Sequence, residues 1–203
     1  MNETMKGKDI CNASLIMRPS NHDIAKISGR YDVECIGPDG KLKWKDSIEN
    51  VITDVGANLV LNQAFGANQN TLFFLGLISS VGYTGIPVVA DTMSSHASSN
   101  HAWVEAGNGS NYPNWSTPSS NARATITWSA ASGRAKAIAS AASFVIATNG
   151  GTIKGCFIVT GTGAVATNND TNGTLYSAGV FTGGERVVQV ADTVNVSYTT
   201  TLS

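Results

Sequence analysis

Thr152-Ile-Lys-Gly-Cys-Phe-Ile-Val-Thr160, Thr174-Leu-Tyr-Ser-Ala-Gly-Val-Phe181 and Val194-Asn-Val-Ser-Tyr-Thr-Thr-Thr-Leu202 decide the fold class. The first stretch is dense in β-branched and aromatic residues and is followed by a polar Gly/Thr/Asn loop up to Gly173, the pattern of a strand and its exit. The second runs into Thr182-Gly-Gly-Glu185, whose glycines can take the positive φ angles of a hairpin turn before Arg186-Val-Val-Gln-Val190. Ala191-Asp-Thr193 makes a second turn, and the last stretch alternates apolar and polar residues. Alternation of that length puts one face in a core and the other in water, as in an antiparallel sandwich or barrel.

Upstream, Gly29 to Ile36, the turn Gly37-Pro-Asp-Gly40 and Lys41 to Lys45 make a predicted β-hairpin over 29–45, which Ile48 to Ile52 can extend. Thr53 or Asp54 caps a predicted helix over 55–65, with Gly66 as its stop. The continuous apolar run from Thr71 to Ser79 suits a strand buried on both faces, central in the core. Between Ser80 and Pro118 the pattern fails. Gly, Pro, Ser and Asn dominate, and the segment reads as a long partner-facing loop over 80–118. Alternation resumes from Asn121 to Trp128, and Arg134 to Thr148 holds at least one more strand, ending in Ser143-Phe-Val-Ile146. Ala135 to Ala142 has helical propensity, but it feeds into that strand without a break, which favours strand.

The sum is about eight strands and one short helix. The expectation is a mainly β protein, an antiparallel β-sandwich of jelly-roll or Greek-key type over 29–203, preceded by an N-terminal arm over 1–28. The arm holds Ile10, Leu15, Ile16 and Met17 and is open to anchoring on a neighbouring subunit or on its own domain.

A chain of 203 residues can bury a core without staples. Only 13% of its residues are charged, 13 Lys+Arg against 14 Asp+Glu, so there is no electrostatic case for nucleic acid or an anionic membrane as partner. A surface made of Ser, Thr, Asn and Gly does little to keep copies apart, which points to a life docked on other proteins. Cys11, Cys35 and Cys156 are odd in number and widely spaced, which suits reduced structural thiols. No basic segment precedes an apolar run and no stretch approaches eighteen apolar residues, so the expectation is folding in a cytoplasm. The Asn-x-Ser/Thr triplets, such as Asn108-Gly-Ser110, then follow from composition.

Chemistry is sparse. His96 and His101, with Asp91 and Glu105 nearby, are the one cluster that could ligate a transition metal, and their spacing fits no standard ligand set; His22 stands apart. Asn168-Asn-Asp-Thr-Asn-Gly173 resembles the opening of a calcium loop, but Gly179 occupies the place of the closing Glu, and a polar turn is the better reading. Gly161-Thr-Gly163 lacks the third glycine and the helix of a nucleotide fingerprint, and no Gly-x-Ser-x-Gly elbow is present. Trp103, Trp115, Trp128 and Tyr112 could line a sugar groove, although aromatics in loops more often anchor cores or interfaces. Neither a catalytic residue nor a cofactor or metal site is expected.

Six pieces in order, Asn50 to Asn62, Gly76 to Thr84, Ala90 to Ala97 with Trp103-Val-Glu105, Trp128 to Ser132, Ile153 to Phe157, and Gly173 to Phe181 through Tyr198, resemble a family of small virion structural proteins of tailed bacteriophages. The resemblance covers about 50–200. It departs at Ala191, where relatives carry Gly, at Asn121-Ala-Arg123, where they carry Arg-Pro, and at a longer 107–111 segment. The resemblance implies assembly without catalysis: a capsid cement or decoration protein, placed in the virion after assembly in the host bacterial cytoplasm. Its partner would be the major capsid protein, with self-association into a homo-oligomer. A tail or fibre-attachment component and a carbohydrate-binding receptor module are the other readings. The residues assigned to contacts are Trp103, Glu105, Tyr112 and Trp115 in the loop, with Tyr31 and Trp44 in the hairpin.

Overall fold

A computed structural model describes residues 26–64, 72–93, 103–107 and 112–203. The chain is mainly β, with two antiparallel sheets packed face to face and, among the described residues, twelve strands and one helix. The first sheet contains β1 (Ile27–Ile36), β2 (Leu42–Glu49), β5 (Trp115–Thr117), β7 (Ala135–Ala137), β8 (Ala142–Ile146) and β12 (Thr193–Leu202). The second contains β3 (Val51–Ile52), β4 (Phe73–Ser79), β6 (Ala124–Ile126), β9 (Gly151–Thr160), β10 (Thr174–Val180) and β11 (Arg186–Val188), and α1 (Asp54–Ala64) follows β3. The strand orders are β2-β1-β12-β8-β5 and β3-β10-β9-β4-β6, with β7 on β12 and β11 on β9. The excess over the eight expected strands comes from short pieces of two or three residues, which are too brief to show a period.

β1 and β12 pair along their full length, from Ile27↔Leu202 to Ile36↔Thr193, and Lys26 and Ser203 extend the ladder by exchanging backbone hydrogen bonds of 2.9 and 3.0 Å. The sandwich begins at Ile27 rather than Gly29, which trims the expected arm; residues 1–25 lie outside the described residues. Inward residues of this pair, Tyr31, Val33, Val196 and Tyr198, meet Leu75, Leu77 and Ile158 of the opposite sheet. Tyr31 and Tyr198 stack with centroids 4.6 Å apart, and the Tyr31 hydroxyl lies 2.6 Å from Ser177 Oγ across the sandwich. A buried phenol needs such a partner, since an unpaired hydroxyl would cost about 1–3 kcal/mol.

Thr182 to Glu185 is not a hairpin turn. β10 pairs with β9 from Thr174↔Thr160 to Val180↔Gly155, and β11 continues on the same edge from Arg186↔Ile153 to Val188↔Gly151. The two glycines form an excursion within one interrupted strand, Gly184 having φ 89°. Positive φ suits either arrangement; the partner edge of β9 decides. β8 and β7 follow the same plan along β12, which confirms strand over helix for Ala135–Ala137.

The helix starts where expected. Thr53 Oγ1 accepts the Gly56 amide at 3.0 Å as an N-cap and donates to Leu175 O. Gly56 then lies directly on the Tyr176 backbone, closer than any side chain would allow. Phe65 and Gly66, the expected end and stop, lie outside the described residues.

Candidate interaction site

The second sheet is buried on both faces, as the apolar run of β4 predicts. Its inner face meets the first sheet. Its outer face carries a separate core of Phe74, Ile78, Phe157, Val159, Leu175 and Ala178, covered by Met93 and Trp103 from the 80–107 segment. The described parts of that segment, 80–93 and 103–107, form a strap on the sheet, bound to the edge of β4 by Ser79 N→Val104 O and Ala106 N→Leu77 O, both 2.9 Å.

Two buried polar contacts fix the strap. Trp103 Nε1 donates to Asp91 Oδ2 at 3.0 Å, and Asp91 also receives the Val88 amide at 3.0 Å. Arg123 grips Glu105 with Nε to Oε1 at 2.9 Å and Nη2 to Oε2 at 2.8 Å, and both side chains are fully buried. The remaining guanidinium donors go to Asp170 O at 2.6 Å and Val165 O at 3.2 Å, while Glu105 Oε2 also accepts the Asn169 amide. The niche exists because Gly76 presents no side chain there: a Cβ would press on the Phe157 ring and stand 3.1 Å from Glu105 Oε1.

Four of the six residues assigned to partner contacts are therefore interior. Tyr31, Trp103 and Glu105 have no exposed surface and Trp115 retains 1%. Trp115 packs edge-on against Phe144 at 5.2 Å and donates its indole N–H to Ala122 O at 2.8 Å. Trp44 is half-buried, sealing the open side of the sandwich against Phe181 while donating to Val187 O. Tyr112 alone is exposed, at 38%. Trp128, the remaining sugar-stacking candidate, packs against Phe73 and Tyr198. The 80–118 loop is likewise corrected: it contains β5 and its described parts cover a core.

His22, His96 and His101 lie outside the described residues. Asp91 and Glu105, their suggested acidic partners, belong to the strap contacts. Among the described residues no group of three His, Cys, Asp or Glu side chains is placed to hold a metal. In the calcium-like segment, Asp170 accepts from Asn172 N at 2.8 Å and Asn172 Nδ2 at 3.2 Å, which makes a polar turn, and the cation beside it is Arg123. Cys35 lies 3.6 Å from Asp192 Oδ2, and burial, then the Asp192 charge, pushes its thiol up to about 12; burial pushes Cys156 higher still. Neither thiol is a nucleophile at neutral pH.

Among the described residues, two surface features bear on contacts with other molecules. Val81, Ile86, Val88 and Val89 are exposed apolar residues within one short stretch of the strap, Ile86 at 64% and Val89 at 53%. The Val89 carbonyl receives the Asp54 amide at 2.8 Å, which ties this stretch to the start of α1. The second is a shallow groove of about 410 Å³ beneath Tyr112, where β5 meets the end of β8. Asn114 joins that ladder through Asn114 N→Asn149 O at 3.0 Å and Ala147 N→Asn114 O at 2.9 Å. Asn121 closes the groove floor, its Oδ1 accepting the Trp115 amide at 2.9 Å; its φ of 52° is one that Asn tolerates better than most residues. Sequence reasoning missed the groove because its polar residues are scattered over 112–121 and 147–149 with no spacing signal. It noted Arg123 only as a departure from the family the chain resembles, although an Arg between two alanines at the head of a strand pairs with the buried Glu105 of the strap.

Compared with known proteins, the chain matches no family model, no curated sequence and no solved structure.

Proposed function

We propose that this chain is a non-enzymatic structural protein of a tailed-bacteriophage virion, a capsid cement protein that binds the major capsid protein on the outer face of the head lattice. The observation that carries the reading is the run of exposed apolar residues Val81, Ile86, Val88 and Val89 on a strap that is held by Trp103–Asp91 and Arg123–Glu105. Exposed apolar surface that is pre-organised loses little freedom on docking, which favours a permanent partner. The sequence resemblance supplies the particle. The low charge of the chain, 13% of residues, supports a surface that works against protein and not against nucleic acid or membrane.

The test is the copy number of the chain per purified particle, by quantitative mass spectrometry against the major capsid protein. A ratio near one, or a simple fraction of it, supports cement; a handful of copies moves the chain to the tail, the second reading that the resemblance leaves. Val88→Asp should lower occupancy on the particle while leaving the isolated fold intact. Unchanged occupancy would remove these residues from the interface.

A further inference from the structure

We propose that the groove beneath Tyr112 is a binding site for a neutral saccharide. Among the described residues none that lines it is charged, and its volume of about 410 Å³ lies within the range of small-molecule sites, about 300–1,000 Å³. Tyr112 supplies the aromatic face. Its backbone is fixed from two sides, its carbonyl accepting from Ser79 Oγ at 3.4 Å and its Cβ lying over Gly151, where an added Cβ would come within 3.2 Å of it. With the backbone so fixed and the residue 38% exposed, Tyr112 presents an aromatic side chain of the kind on which the C–H face of a pyranose packs.

The polar groups complete the chemistry. Asn149 Nδ2 donates to Asn114 Oδ1 at 3.1 Å, and among the described residues no partner meets Asn114 Nδ2 as donor or Asn149 Oδ1 as acceptor. A donor and an acceptor side by side match adjacent sugar hydroxyls, each of which both gives and takes a hydrogen bond. Ser116, Ser120 and Thr148 line the groove with further hydroxyls. An anionic ligand would find no Lys or Arg there, and an apolar one would leave the amides unpaired, at a cost of about 1–3 kcal/mol each. Trp115, buried beneath with its indole N–H on Ala122 O, shapes the floor and offers no stacking face.

This site goes beyond the particle reading and does not rest on it, so copy number and sugar binding can fail separately. The full chain would be titrated with maltotetraose and with chitotetraose, with sialyllactose as the charged counterpart, and followed by amide NMR shifts. The expected result is saturable shifts at Tyr112, Asn114 and Asn149 with at least one neutral oligomer, weakened about tenfold in Tyr112→Ala and kept in Tyr112→Phe. Asn149→Ala, on the exposed rim, should weaken binding with no change in melting temperature. No saturable shift with either neutral oligomer up to about 10 mM, beyond the range of weak specific binding, would overturn the proposal. So would preference for sialyllactose, or shifts that Tyr112→Ala leaves unchanged.

Discussion

Arg123 and Glu105 face each other through two hydrogen bonds of 2.9 and 2.8 Å with neither side chain reaching solvent. A buried pair of this kind is costly to break and inexpensive to replace. Removing one partner strands the other charge in a low-dielectric site, a loss of about 3–5 kcal/mol, whereas apolar residues of similar size in both places are often neutral. Glu105→Gln and Arg123→Met should each lower unfolding stability by about 3–5 kcal/mol in urea titrations, and Glu105→Leu with Arg123→Met should lose less than either. Single losses below about 1 kcal/mol, the scale of an exposed pair, would show that the strap is not held by this contact.

Ala191 has φ 69°, in the left-handed region, and its surroundings keep it there: its amide donates to Ile146 O at 2.8 Å, and Asp192 next to it accepts the Gln189 amide at 2.7 Å and pairs with Lys43 at 2.6 Å. A non-glycine residue there is strained by about 1–2 kcal/mol, against about 0.4–1 kcal/mol of extra chain entropy for glycine in the unfolded state. Ala191→Gly should therefore raise the melting temperature, with a net gain of about 0.5–1 kcal/mol. A fall would mean that the turn relaxes to another conformation in solution.

The strands with long uniform patterns were legible in the sequence because each carries its own evidence. β4 and β9 are apolar on both sides, β12 alternates, and the β1–β2 hairpin has its Pro-Asp-Gly turn. What stayed hidden depends on residues far apart in the chain. Trp103 and Glu105 look like surface anchors until Asp91, Arg123 and Gly76 are brought beside them, and nothing in a Gly/Ser/Asn-rich segment announces that it lies flat on a sheet. Thr182 to Glu185 failed as a hairpin for the same reason, since two glycines state what the backbone can do and not which edge it rejoins. Of the residues that line the groove at Tyr112, the sequence singled out Tyr112 and Trp115 for their rings, and not Asn114, Asn121 and Asn149, which carry no spacing signal.

Thr53 and Gly56 together dock α1, and each can be removed alone. Thr53→Val keeps the shape and loses both the cap on the Gly56 amide and the bond to Leu175 O, an expected loss of about 2 kcal/mol. Gly56→Ala adds a methyl against the Tyr176 backbone, which cannot move aside as a side chain would, and should cost about 1–3 kcal/mol although alanine is the better helix former. Hydrogen exchange separates local from global effects. Faster exchange confined to 54–64 with strand protection intact is the expected result, and an unchanged helix in Gly56→Ala would show that α1 does not sit on β10 in solution.

Alkaline pH should unfold the protein through its buried acids. Burial raises Tyr31, Tyr176 and Tyr198 above their ordinary value near 10, and burial raises Cys35 to about 12 and Cys156 further. These groups are charged when deprotonated, so above about pH 8.5 for the thiols and 10 for the phenols the unfolded chain releases protons that the folded one retains. Stability is thus fully present below that window and is lost as pH rises through it, by about 1.4 kcal/mol per pH unit for each group. Guanidinium midpoints should be level from about pH 7 to 8.5 and fall steeply above 9.5, less steeply in Tyr198→Phe, which removes one titrating hydroxyl and leaves the ring stacked on Tyr31. A level profile to about pH 11, or the same slope in Tyr198→Phe, would show that the phenols are open to water and that the two sheets do not close over them.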